Sequence, residues 1–101
     1  MKARFIVTKD IGKKTEQEQG EVDVEVFAAE SINGKQAEIE MQVGFARGYG
    51  EIKVSAQVRI HCAQKKETVL KAGRAAHLLA YELAQDGFNM VCSDFDAGAK
   101  G

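Results

Sequence analysis

Between residues 36 and 62, apolar and polar positions alternate almost without a break. Ala37, Ile39, Met41, Val43 and Phe45 interleave with Gln36, Glu38, Glu40 and Gln42. Ile52, Val54, Ala56, Val58, Ile60 and Cys62 interleave with Glu51, Lys53, Ser55, Gln57, Arg59 and His61. A period of two sends alternate side chains to opposite faces, so the segment predicts two strands with one dry and one wet face. Between them lies Arg47-Gly48-Tyr49-Gly50, whose glycines permit the reversal.

Weaker patterns flank this hairpin. Ala3, Phe5 and Val7 opposed to Arg4, Ile6 and Thr8 predict a strand over 3–10. Residues 11–20 have no apolar stripe and read as a mobile loop. Val22, Val24 and Val26 against Glu21, Asp23, Glu25 and Phe27 predict a strand over 21–28, and Asn33-Gly34 supplies a tight turn. After the hairpin, Val69, Ala72, Gly73, Ala76, Leu79, Ala80, Leu83 and Ala84 share one face at 100° per residue. That spacing predicts a helix over 67–86 with Gly87 as its left-handed C-cap. Phe88, Met90 and Cys92 then alternate, giving a short fifth strand over 88–93, and residues 97–101 read as a disordered tail.

These elements predict an α+β fold: a curved antiparallel meander of four strands, one helix packed on its dry face, and a short last strand. The expected spatial order is 5-1-2-3-4, with the fourth strand at an edge. The chain has 101 residues, 45% of them apolar and 29% charged, which suits one domain over 1–96. No apolar run approaches the ~20 residues of a membrane span. The N-terminal apolar run stops after Phe5-Ile6-Val7, short of a signal-peptide core. The expected compartment is therefore the cytoplasm, with Cys62 and Cys92 reduced.

Net charge is −1, yet the charges are segregated. Residues 1–15 hold five bases and one acid, whereas residues 16–51 hold nine acids and two bases. Segregation of this kind bears on association rather than on fold. If the strand over 21–28 pairs with the one from 36, then Glu21, Asp23, Glu25, Glu38 and Glu40 crowd one wet surface. Like charges on adjacent strands are unfavourable, and a basic partner relieves them. The leading expectation is a small non-enzymatic binding protein that engages a basic protein surface, with an inhibitor or nucleic-acid mimic as its sharpest form. The competing reading of the same carboxylates is a solvated face that keeps the protein soluble and resists aggregation.

The alternative is a single-stranded nucleic-acid binder using Phe45, Arg47, Tyr49, Lys53 and Arg59, where aromatics stack on bases and cations meet phosphates. The segment from Arg47 matches the RNA-recognition-motif pattern only in part, because Glu51 and Val54 stand where two of its aromatics belong. Arg74, Leu78 and Tyr81, at i, i+4 and i+7 on the polar side of the helix, are candidates for self-association into a homodimer. Chemistry has little support. His61 and Cys62 are neighbours on a strand and point to opposite faces, and no ligand spacing advertises a metal or a cofactor. No catalytic residue is singled out.

Overall fold

A computed structural model describes residues 2–24, 36–48 and 51–100. Four strands, β1 (Lys2–Ile11), β2 (Lys14–Asp23), β3 (Gln36–Arg47) and β4 (Ile52–Ala63), precede one long helix, α1 (Lys66–Lys100). All strand pairs are antiparallel and the order is β2-β1-β4-β3. Two hairpins, β1–β2 and β3–β4, are thus joined edge to edge through β1 and β4, giving an α+β fold with the helix packed on one side.

This order corrects the expected 5-1-2-3-4. The difference starts at residues 11–20, which form a hairpin rather than a loop. Gly12 takes φ 60° and begins a two-residue turn with Lys13, closing the register Ile11↔Lys14. Glycine at the first turn position matches the twist of a tight hairpin. The Gly12 N–H also donates to the Glu51 carbonyl at 2.9 Å, tying this turn to the start of β4. From Lys14 to Glu18 both faces of β2 are exposed, so alternation leaves no trace there. Of the strand expected over 21–28, only 21–23 lies in β2; residues 25–35, including Asn33-Gly34, fall outside the described residues. With β2 beside β1, the other side of β1 is open to β4, which becomes central instead of an edge.

The central place of β4 agrees with its side chains. Ile52, Val54, Ala56, Val58, Ile60 and Cys62 are all buried beneath α1 or between it and the neighbouring strands. Above them, Ala72, Ala76, Ala80 and Ala84 are each 0% exposed. Four methyl groups at i, i+4 spacing let the helix lie close to the sheet along its length. Gly87 continues the same line. A Cβ there would stand 3.1 Å from Val54 Cγ1 and 3.4 Å from Lys9 Cε. Gly87 is therefore a contact point within α1, not its cap.

No fifth strand forms among the described residues, because 88–93 continue the helix. The strand pattern rests on Phe88, Met90 and Cys92, but the buried face is Phe88, Val91 and Cys92, spaced i, i+3 and i+4, with Met90 58% exposed. The segment from 97 is helical as far as Lys100. At ~1.5 Å per residue α1 is long enough to run past the whole of β4 at ~3.3 Å per residue.

α1 lies over β4 and β3, reaches part of β1 and does not extend to β2. Phe5 covers some of the sheet beyond it. Its ring lies over Gly20, directly opposite in register, where a Cβ would meet the ring at 2.6 Å. Among the described residues no buried side-chain polar atom lacks a hydrogen-bond partner.

Candidate functional site

Among the described residues, none covers the face away from α1 across its four strands. The register aligns Glu21, Arg4, Arg59 and Glu40 in a single row from the β2 edge to the β3 edge. Arg4 Nε pairs with Glu21 Oε1 at 3.1 Å. Arg59 Nε pairs with Glu40 Oε2 at 3.3 Å and with Glu38 Oε1 at 3.8 Å. Gln57 also donates to the Glu40 carboxylate. The two arginines stand opposite each other on β1 and β4, a like-charge pair that the outer carboxylates relieve. Arg4 is largely exposed and the other partners are half-exposed, so each pair contributes roughly 0.2–1 kcal/mol at most.

The next row contains Gln19, Ile6, Gln57 and Gln42. Ile6 is half-buried and apolar among amides, and with Gly20 it lines a shallow depression bordered by Arg4, Arg59, Gln19 and Gln57. Farther along, Thr15 donates to Asp10 at 2.7 Å and Gln17 to Thr8 at 3.5 Å. An apolar floor inside a polar rim is the local geometry that accepts a partner's side chain.

The carboxylates expected to crowd together are divided. Glu21 and Asp23 lie on β2, Glu38 and Glu40 on β3, and these strands are the two edges of the sheet. Three strand spacings, about 14 Å, separate the two margins. Glu25 lies outside the described residues. The charge patch thus becomes two acidic margins with a basic seam between them.

The nucleic-acid set is divided as well. Phe45 faces the helix side, with its ring centroid 5.6 Å from that of Tyr81 and 5.7 Å from that of Phe88. Arg47 places both terminal nitrogens on Asp96, at 2.9 and 3.1 Å. That hydrogen bond holds the Asp96 carboxyl below its ordinary range and pushes the Arg47 guanidinium up. Lys53 and Arg59 alternate onto the open face instead, and Tyr49 falls outside the described residues. Phe45 and Arg47 therefore share no surface with Lys53 and Arg59.

Of the helix set, Tyr81 stays 40% exposed while its ring meets Phe45 edge-on. Leu78 is 59% exposed and points away from the sheet. Arg74 borders an apolar groove between β3 and α1, formed by Ile39, Met41, Val69, Leu70 and Gly73. The bidentate Arg47–Asp96 pair gave no sign in the sequence, since Asp96 sits in a stretch without an apolar rhythm.

Cys62 is buried and its thiol is pushed up by that burial; Cys92 is half-buried, and both are free. Among the described residues, no cluster of His, Cys, Asp and Glu could hold a metal ion, and no helix is long and apolar enough to cross a membrane. Fold and surface together define a sheet-and-helix protein with one open, mixed-charge sheet face. No family model, curated protein or solved structure matches the chain.

Proposed function

We propose that this is a non-enzymatic binding protein that docks a basic protein surface on its open sheet face. The observation that carries this reading is the face itself: four strands wide, not covered by α1, with carboxylates at both margins and Ile6 in a depression between them. Basic side chains of the partner meet Glu21 and Asp23 on one margin and Glu38 and Glu40 on the other. An apolar side chain of the partner seats on Ile6. Arg4 and Arg59 fix the register, because a partner must offer acidic or neutral groups over the seam. That seam favours a patterned protein surface over an inhibitor that imitates a uniform phosphate track.

Affinity capture with four forms of the protein tests the reading: wild type, Ile6→Arg, the E21K/D23K variant and the E38K/E40K variant. A specific partner retained by wild type is lost with Ile6→Arg and weakened by either charge reversal, more so at low salt. An identical capture profile for all four forms would refute it. Titration with single-stranded DNA and RNA at low salt supplies the contrasting arm. Binding that disappears on changing Lys53 and Arg59 to alanine would move the function to nucleic acid.

A further inference from the structure

The two edges of the sheet are unlike. β2 carries Glu16, Glu18, Glu21 and Asp23 and lies beyond the reach of α1. Acidic side chains along an edge discourage strand pairing. β3 is twelve residues long, carries two acids, Glu38 and Glu40, against four on β2, contains no lysine or proline, and runs beside the apolar groove under α1. Among the described residues its backbone pairs with β4 alone, while Leu70 and Tyr81 stand 51% and 40% exposed along the adjoining flank of the helix.

We infer that a second copy of this chain pairs antiparallel along β3, merging two four-stranded sheets into one of eight strands with both helices on the same side. Three independent features fit that occupant. The first is charge. A two-fold axis at Gln42 sets Glu40 opposite the partner's Gly44 and Glu38 opposite the partner's Ala46. On the helix side Ile39 meets the partner's Phe45, and Met41 meets the partner's Val43. No like charges oppose one another. Parallel in-register pairing would instead place each glutamate on its own copy.

The second feature is spacing. Because α1 lies over both β3 and β4, its axis projects near the seam between them. That seam is half a strand spacing inside β3, and the two-fold axis would be half a spacing outside it. The two helix axes then stand about 10 Å apart, the packing distance of a helix pair. Joining β2 edges would leave them about 29 Å apart over bare sheet.

The third is agreement between the two layers. Gly73 sits over Met41, where a Cβ would be 3.6 Å from its Cε, and Tyr81 sits against Phe45. One residue of strand past Met41 spans about two residues of helix past Gly73, so position 42 of β3 lies beneath the helix near Ala75. Leu70, Arg74, His77 and Tyr81, spaced four, three and four residues, form the helix flank on that side. An antiparallel helix pair centred there brings Leu70 to the partner's Tyr81, joining two large side chains that are exposed in the single chain. Leu78 lies farther round the helix and is not used.

Sedimentation equilibrium of the full chain tests this. Wild type should show twice the 11.0 kDa chain mass at about 100 µM. Gly44→Glu, which opposes the partner's Glu40 twice per dimer, should raise the dimer dissociation constant about tenfold at low salt. Gly44→Lys, of similar bulk, should lower it or leave it unchanged. A cysteine at position 42 should cross-link two chains under mild oxidation, whereas one at position 17 on β2 should not. A monomer at the top concentration, equal weakening by both Gly44 variants, or cross-linking only through position 17 would overturn the inference. None of these readouts involves a partner on the open face, so they stand apart from the capture experiment.

Discussion

Ala80→Leu adds three carbons where the structure leaves no room for them. Ala80 is 0% exposed and belongs to the line of four buried alanines that seats α1 on Val54, Ala56 and Val58, themselves 0% exposed. Leucine is nearly as good a helix former as alanine, so the substitution tests packing rather than propensity. Overpacking a close helix–sheet contact costs about 1–3 kcal/mol. At the middle of that range, about 2 kcal/mol, a chain of this size loses roughly 8–16 °C in Tm. Urea unfolding followed by far-UV circular dichroism measures it, as a lower midpoint with an unchanged slope. Leu78→Ala, on the exposed side of the same turn, should stay within about 0.5 kcal/mol of wild type. If α1 rested loosely on the sheet, the extra carbons would gain transfer energy and stabilise the protein. An Ala80→Leu variant as stable as wild type would therefore refute the close contact.

Two glycines should respond to alanine with opposite signs. Gly12 has φ 60° with nothing within 4 Å of a Cβ, so Gly12→Ala costs about 1 kcal/mol through backbone strain alone. Gly98, in open helical surroundings, should gain a few tenths of a kcal/mol on the same change, about what helix propensity supplies near an end. Both are read from urea midpoints. Arg47 lowers the Asp96 carboxyl from its ordinary 3.8, so this pair's contribution is present above that value and lost as pH falls through the depressed one. The difference in midpoint between wild type and Asp96→Asn should be constant at neutral pH and vanish in acid; a difference that persists at low pH would exclude the ion pair as its source. Cys62 is 3% exposed and its thiol is raised by burial, whereas Cys92 is half-buried. A disulfide reagent should thus label Cys92 first in the native protein and reach Cys62 only on unfolding. Loss of the fast phase in Cys62→Ser rather than Cys92→Ser would contradict the burial. The raised Cys62 thiol also removes stability as pH climbs past the ordinary 9.0, since only the unfolded chain then ionises.

Local pattern determined much of this protein. The alternation in 36–45 and 51–63 specified the β3–β4 hairpin and its dry face, and the small residues from Ala72 to Ala84 specified a helix able to approach that face. Both signals survive in sequence because burial on one side writes a period into the chain. β2 wrote none, being outside the shadow of the helix and wet on both faces from Lys14 to Glu18; it is held by backbone bonds to β1, which any side chain allows. Residues 88–93 satisfied strand and helix periods alike, and only continuity with α1 chose between them. Strand order was the largest matter left to tertiary structure. Whether Glu21 neighbours Glu38 depends on which edges join, a long-range choice that no window of residues records. Once β1 took β4 as its neighbour, two acidic clusters moved to opposite margins and Arg4 and Arg59 came together between them. The chain thus set which residues face water, and the joining of two hairpins decided what they face there.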